Sequence, residues 1–313
     1  MTLPHGYILR HPTEADLPAA QAVLDASESH DAGEARTHEH ELATEWRSED
    51  SHPDTDWWVI VAPGGVVAGV AWMWPDTAGE VTADHYVHPE HRGFGLGEAL
   101  LATIEARAVQ LPARSPDGAV RNLVLWCNEG DSGRRTVMTA RGFAPVRQFY
   151  EMEIDLRGDL PPAPRLESIE VRAFRPGVDD RRVWEADLDA FAEHFLFEPR
   201  SYEEWRLHHL EAPDSDPTLW WLAWDGDELA GYVISTEGAH GAEIGDLAVR
   251  KPWRGRGIGR ALLVASFDTL RERGQVVARL FVDAQNVTKA VRVYEAAGMH
   301  VSRRFDAMQK PLA

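Results

Sequence analysis

One arrangement of residues occurs twice in this sequence, and it is of a kind that binds phosphate. The first copy runs from Val87 through Arg92-Gly93-Phe94-Gly95-Leu96-Gly97 to Leu101, and the second from Val249 through Arg254-Gly255-Arg256-Gly257-Ile258-Gly259-Arg260 to Leu263. Each leaves an apolar strand end, passes an Arg-Gly-x-Gly-x-Gly loop and starts an amphipathic helix. Such a strand–loop–helix aims several unpaired backbone N–H groups in one direction, at the positive end of a helix dipole. That is a physical recipe for holding a phosphate or pyrophosphate.

The stretches around the loops supply the elements that hold them. In the first half, Tyr7–His11 reads as a strand. Thr13 and Asp16 are N-cap candidates for a helix carrying Leu17, Ala20, Val23 and Leu24 on one face, and residues 27–51 read as a second, polar helix. Residues 57–62 and 66–74 form a hairpin about Pro63-Gly64-Gly65, and residues 81–87 are the strand before the loop. A helix over 97–109, a strand over 122–127, a short helix over 134–140 and a closing strand over 149–156 complete the half. Gly158, Pro161, Pro162 and Pro164 mark a linker.

The order then repeats. There is a strand over 169–174, a helix over 179–195, and a helix with a capping-box pattern from Ser201 to Glu204. A hairpin follows over 220–224 and 229–234, then a strand over 243–249, the second loop, and a helix to Arg273. A strand over 279–283, a helix over 288–297 and a last strand pair opened by Gly298-Met299 end the chain. Trp57 matches Trp220, Gly69 matches Gly231, Arg92 matches Arg254 and Gly142 matches Gly298 at a near-constant offset. This is a whole-domain duplication. The expected domains are residues 1–157 and 168–313, joined by 158–167.

With the loop, its flanking strand and helix, and the terminal run from Asn286 through Tyr294 to Gly298-Met299 in view, the second half resembles the GNAT acetyltransferases. The resemblance covers essentially the whole chain as two tandem domains, and is strongest to the tandem GNAT proteins of actinobacteria, the group that includes mycothiol synthase. It implies an α/β (α+β) fold, each domain a mixed, mostly antiparallel central sheet flanked by helices. Rossmann and Walker readings are disfavoured: no acidic residue ends the next strand in the dinucleotide manner, and neither loop contains Gly-Lys-Ser/Thr.

The resemblance also implies roles. Arg254, Gly255, Arg256, Gly257, Ile258, Gly259 and Arg260 would meet the phosphates of acetyl-CoA, Leu247, Ala248 and Val249 would pair with its pantetheine arm, and Asn286 would contact that arm from the next strand. Tyr294 would face the sulfur and protonate the departing thiolate; its plain alternative is a packed helix aromatic. Glu243, six residues before Val249, stands where glutamate-using members keep a general base. An amine of pKa about 10 is mostly protonated at neutral pH, so a base beside it has work to do. Strict alternation would put Glu243 on one face with Gly245, Leu247 and Val249, and Asp246, the reserve candidate, on the other. Glu193 and His194 fall in the stretch with which this family commonly lines its acceptor site.

The first half lacks the reacting groups. Counted by offset, Val81 stands for Glu243 and Met138 for Tyr294, with Asn128 near the place of Asn286. Its loop is intact, so Tyr86, Val87, Arg92, Gly93, Phe94, Gly95, Leu96 and Gly97 make a second candidate CoA cradle without chemistry. Glu80 and His85 are candidates to restore a base.

Bulk properties narrow the class. At 313 residues, 44% hydrophobic and 27% charged, the chain has enough material for two globular cores. A net charge of −19 argues against nucleic acid and is compatible with a cationic amine. No run approaches the roughly 18 apolar residues of a membrane span. The start has no signal-peptide pattern, and the one cysteine, Cys127, sits in an apolar strand, which together fit a cytoplasmic protein. His30, His38 and His40 lie on the polar helix without a second converging cluster, so no metal is expected. Monomer and homodimer both fit, since two tandem domains can stand in for a dimer. Three functional readings compete: acetyl transfer to a small amine by the second domain, acetylation of a cysteinyl sugar as in mycothiol synthesis, and a non-catalytic CoA-binding sensor or scaffold.

Overall fold

A computed structural model describes residues 3–36, 41–47, 51–74, 80–111, 121–192, 199–212, 215–238, 241–285 and 290–312. The chain divides into two compact units, residues 1–148 with 303–313, and residues 149–302.

The first unit begins with β1 (Ile8–Arg10) and α1 (Leu17–Ala32). Helix α1 buries Leu17, Ala20, Val23 and Leu24, the stripe visible in the sequence, and runs on to end at Gly33 with φ +86°. The polar stretch is therefore partly the end of α1, followed by a separate α2 (Glu41–Arg47) and α3 (Pro53–Asp56). Strands β2 (Trp57–Val61), β3 (Val67–Met73) and β4 (Glu80–Val87) lead into α4 (Leu96–Ala108). Then come β5 (Asn122–Asn128), α5 (Ser132–Ala140) and β6 (Ala144–Asp155).

The second unit repeats the order. It has β7 (Glu170–Ala173), α6 (Asp180–Phe191), α7 (Tyr202–His209), β8 (Trp221–Asp225), β9 (Glu228–Gly238), β10 (Gly241–Val249), α8 (Ile258–Glu272), β11 (Val277–Asp283) and α9 (Ala290–Ala296), and β12 (His300–Pro311) ends the chain. The capping box of α7 forms as its sequence signals, with Ser201 and Glu204 each satisfying the other's backbone N–H. The stretch after Gly298 is one continuous strand of 12 residues rather than a pair.

Each unit takes one strand from the other half of the sequence. In the first, the order β1-β2-β3-β4-β5-β12 is antiparallel except for β4/β5, and β12 lies on β5 from Phe305↔Asn128 to Pro311↔Asn122. In the second, β6-β11-β10-β9-β8-β7 is antiparallel except for β10/β11, and β6 lies on β11 from Phe149↔Asp283 to Asp155↔Val277. The compact units thus depart from the chain-order bounds 1–157 and 168–313. Residues 158–167 fall wholly within the second unit, where Arg260 donates to the carbonyl of Pro162 at 2.8 Å and Arg256 to that of Glu167 at 3.3 Å.

Helix α8 bears the second glycine loop and buries Ile258, Ala261, Leu262, Leu263 and Phe267 against the sheet. One polar contact lies in that apolar seam: Ser235 Oγ of β9 and Ser266 Oγ of α8 are 2.7 Å apart, both fully buried. A lone buried hydroxyl loses its partner at full cost, whereas removing both is nearly neutral. Ser235→Ala and Ser266→Ala are each expected to cost about 1–2 kcal/mol in urea unfolding, and the double variant less than the sum.

Candidate active site

The site is made by two strands that part. Strand β10 pairs with β11 only at Ala242↔Ala278 and Glu243↔Arg279, while β11 continues on β6 to Asp283. Beyond Glu243 the inner edge of β10 has no ladder partner, so its N–H and C=O groups are open to a ligand. A cavity of about 520 Å³ fills the gap. One wall is Ile244, Gly245, Leu247, Ala248 and Val249 of β10, Asp246 standing outside the lining, and the other is Leu280 to Asp283 of β11. The glycine loop closes one end, Ala290, Val293 and Tyr294 of α9 cover the wedge, and Ala190 and Phe191 of α6 reach its far side.

The loop has the conformation its glycines suggest. Gly255 and Gly257 adopt φ +78° and +82°, where a side chain would be strained. A Cβ on Gly259 would sit 3.4 Å from Val293 and 3.6 Å from Val249, at the limit of ordinary contact. Arg254 donates from Nε to the carbonyl of Val249 at 3.0 Å, and among the described residues no carboxylate takes its outer nitrogens. Arg256 and Arg260 differ: Arg256 pairs with Asp225 and donates to Glu167, and Arg260 donates to Pro162. Leu247, Ala248, Val249, Arg254, Gly255, Gly257, Ile258, Gly259 and Arg260 all line the cavity; Arg256 and Glu243 do not.

A β-bulge corrects the expected alternation. Ile244 faces Ser235 and Asp246 faces Ile234, so Gly245 is the extra residue. After it every side chain has changed face. Ile244, Leu247 and Val249 share the face of Ser235, toward α8, while Glu243, Asp246 and Ala248 share that of Thr236, Ile234 and Tyr232. Asp246 is therefore beside Glu243, not opposite it. By the same register Thr82, not Val81, stands in the first unit where Glu243 stands in the second.

Tyr294 is buried on α9 and lines the wedge. Burial, and then the nearby Asp246 carboxylate, push its ionisation well above the usual phenol range, so the phenol keeps its proton. On the face shared by Glu243 and Ala248, Asp246 Oδ2 meets His209 Nε2 of α7 at 3.1 Å, and Tyr232 donates to Asp187 of α6 at 2.6 Å. His209 had no sequence signal beyond its place in the last turn of the capped helix. Glu193, His194 and Asn286, and with them His38 and His40, lie outside the described residues. Among the described residues no group of three or more His, Cys, Asp or Glu could hold a metal ion, and no helix is long and apolar enough to cross a membrane.

The matching place in the first unit is smaller and largely spoken for. Its β4/β5 pairing runs on through Ala83↔Leu125, β4 has no bulge against β3, and the cavity measures about 180 Å³. Tyr86, Val87, Arg92, Gly93, Gly95, Leu96 and Gly97 line it, while Phe94 is exposed. Arg92 gives its Nε to the carbonyl of Val87, as Arg254 does to Val249, but both outer nitrogens go to Asp31 at 2.6 Å. Arg134 of α5 pairs with Asp84 and lies 4.6 Å over the Tyr86 ring. The two residues named to restore a base differ: Glu80 is engaged, while His85 lines the cavity with its Nδ1 unpartnered among the described residues. Both Glu80 oxygens accept amide hydrogens, from Asn122 at 2.9 Å and Gln309 at 3.0 Å, and burial pushes His85 down to about 4. Met138 is fully buried in the core.

The comparisons with known proteins agree with this duplication. The model of the acetyltransferase (GNAT) family matches twice, over residues 22–131 and 181–299. A mycothiol acetyltransferase of Catenulispora acidiphila is 32% identical over 96% of this chain and 97% of its own. Another from Geodermatophilus obscurus is 30% identical over 91% of each. The crystal structure of a GCN5-related N-acetyltransferase from Sphaerobacter thermophilus superposes with a TM-score of 0.83 at 32% identity, covering 99% of this chain and 97% of that one. A tandem GNAT protein from the clavulanic acid pathway shares the fold, with a TM-score of 0.74 at 19% identity over 98% and 99% of the two chains.

Cys127 has no part in either site. Its thiol is fully buried in β5, and burial first, then Asp131, Asp306 and Asp31, push it up to about 12 against the opposing charge of Arg135. A chromogenic disulfide reagent is expected to find no reactive thiol in the native protein over an hour at pH 8, and one per chain in denaturant.

Proposed function

This chain belongs to the GNAT acetyltransferase family as two tandem copies, and on that premise we propose that its second unit transfers the acetyl group of acetyl-CoA to the amine of a small molecule. The observation that carries the reading is the parting of β10 and β11. It leaves a strand edge with unpaired backbone groups between a loop that presents Arg254 and a buried, protonated Tyr294. A pantetheine arm is a chain of amides, which such an edge can bind as a further strand would. The left-handed glycines and the fork of Arg254, which no carboxylate takes among the described residues, suit a pyrophosphate at the start of α8.

Acetyl-CoA brings the acetyl group as a thioester. The residues of this chain then divide the proton work. Glu243 takes a proton from the acceptor nitrogen as the new C–N bond forms, and Tyr294 gives its phenol proton to sulfur as the C–S bond breaks. The role of polarising the thioester carbonyl falls, on this reading, to backbone N–H groups of the β10 edge. A second reading, a cysteinyl-sugar acceptor, is favoured by one finding: the relatives from Catenulispora and Geodermatophilus are named mycothiol acetyltransferases. The non-catalytic reading is disfavoured, because Glu243 and Tyr294 stand in the unit with the larger cavity.

Calorimetric titration with CoA is expected to show a site that Arg254→Ala weakens about tenfold, as loss of a charge-assisted contact should. Arg92→Ala is expected to leave that site unchanged and instead to lower Tm, because it strands the mostly buried Asp31 carboxylate.

The acceptor is to be sought by CoA release over amines, aminoglycosides, amino acids and the cysteinyl sugar. With whichever acceptor works, Tyr294→Phe and Glu243→Gln are each expected to lower kcat about 100-fold, with the KM for acetyl-CoA little changed. A Tyr294→Phe enzyme of undiminished kcat would remove Tyr294 from the mechanism.

A further inference from the structure

The face of β10 that the bulge gives to Glu243 also carries a pair with no role so far. His209 closes α7, its ring stacked on Trp205 at 5.1 Å and 18°. Its Nδ1 lies 3.0 Å from the carbonyl oxygen of Trp205, and its Nε2 lies 3.1 Å from Asp246 Oδ2. Both neighbours are acceptors. A neutral imidazole has one N–H, so one ring nitrogen would turn a lone pair on an acceptor. Only the doubly protonated ring satisfies both. Burial opposes that charge, but Asp246, the Trp205 carbonyl and Asp187 outweigh it, and the imidazole is raised above its ordinary value.

The groups around the pair are Asp246 on β10, Tyr232 on β9, Asp187 on α6, His208 on α7 itself and Tyr294 on α9. Asp187 is held by Tyr232 at 2.6 Å, and burial raises its carboxyl. His208 is pushed down by burial, then by Arg200 and His209. Asp246 in turn is felt by Tyr294. His209 thus holds one oxygen of Asp246, and the carboxylate keeps some exposure and stands close enough to Tyr294, which lines the cavity, to act on its ionisation.

The first unit shows what this arrangement achieves. Asp84 stands where Asp246 stands: each comes three residues before the strand-end valine, Val87 or Val249, and each faces the matching residue of the neighbouring strand, Trp72 or Ile234. There the carboxylate is taken by Arg134, which reaches in from α5 and lines the smaller cavity. The matching residue of α9 is Ala290, which lines the larger cavity and fills little of it. In the second unit the aspartate is bound instead by His209 of α7, and the place of Arg134 in the cavity lining is taken by Ala290.

We propose that His209 is a positioning residue for acetyl transfer: its imidazolium fixes Asp246 so that the outward carboxylate oxygen accepts an N–H of the acceptor amine and orients its lone pair, while Glu243 takes the proton. The proposal rests on the acetyltransferase reading of this site. His209 touches no substrate itself, since both of its nitrogens are committed. As pH rises through its raised value the ring loses a proton, one of its nitrogens turns a lone pair on an acceptor, and the charged hold on Asp246 weakens. The advantage His209 confers is thus present at lower pH and fades as the ring deprotonates.

The test compares the full-length protein with His209→Gln and Asp246→Asn across pH 5.5–9.5, in kcat/KM for one acceptor. Taking the ratio of wild type to variant cancels ionisation of the acceptor itself. The expected wild type to His209→Gln ratio is about tenfold at low pH, falling toward one above the ordinary histidine value of about 6.5, with the KM for acetyl-CoA unchanged. Imidazole titration by NMR, with His209→Gln to assign the signal, should give a His209 pKa above 6.5 that drops in Asp246→Asn. A ratio independent of pH, as a purely structural role would give, or a His209 pKa unmoved by Asp246→Asn, overturns the proposal and leaves the acetyltransferase reading standing. A wild-type protein that transfers acetyl to no amine overturns that reading, and this role with it.

Discussion

The second unit depends on a strand pair that stops early. A parallel ladder satisfies each backbone group along both strands, and ending it inside a domain leaves donors and acceptors that must find partners or solvent. The cost is tolerable here because each strand is held on its other side. Strand β11 is paired to β6 along its whole length, and β10 to β9 along nearly all of its own. The sheet keeps its integrity around the gap, and the bare edge of β10 becomes the proposed binding surface. The bulge at Gly245 falls at the same place and turns two carboxylates to one face. Cavity and side-chain arrangement therefore share one local cause.

The first unit is a natural control for this argument, since its loop and fold are repeated. There the parallel pairing runs on, no bulge interrupts β4, and the smaller cavity is lined by an arginine already paired to Asp84. Even the loop arginine has been redirected. A guanidinium fork shared with Asp31 and Ser27 at 2.6–2.7 Å is already satisfied, and a phosphate would have to displace a bidentate partner to use it. The same loop sequence thus serves as a structural clasp in one unit, while in the other its arginine has no carboxylate partner among the described residues.

Most of the local structure could be read from the sequence. The glycine loops, the hairpins, the apolar stripe of α1 and the capping box at Ser201 are each set by residues within a turn or two of one another, and each formed as read. What escaped was set at a distance or by one residue. The bulge adds a single residue to β10, and a one-residue slip inverts every face beyond it. Strand exchange involves two segments, β6 and β12, that read as ordinary closing strands of their own halves. The fate of Arg92 depends on Asp31, 61 positions away, and the role of His209 on Asp246, 37 positions away. Spacing patterns hold no information about such pairs.

The charge of the chain adds a last constraint on how the proposed donor could be held. At −19 the protein repels a polyanion such as CoA at long range. At physiological ionic strength that repulsion is screened beyond about 8 Å, so it slows encounter more than it weakens a formed complex. Affinity must then come from contacts shorter than the screening length: the amides at the start of α8, the edge of β10, and the fork of Arg254. These act at hydrogen-bond distance, where fixed dipoles outweigh a diffuse field. The same field attracts a cationic amine. On the proposed reading, a chain of this charge captures an anionic donor by shape and local donors, and its overall potential favours a basic acceptor.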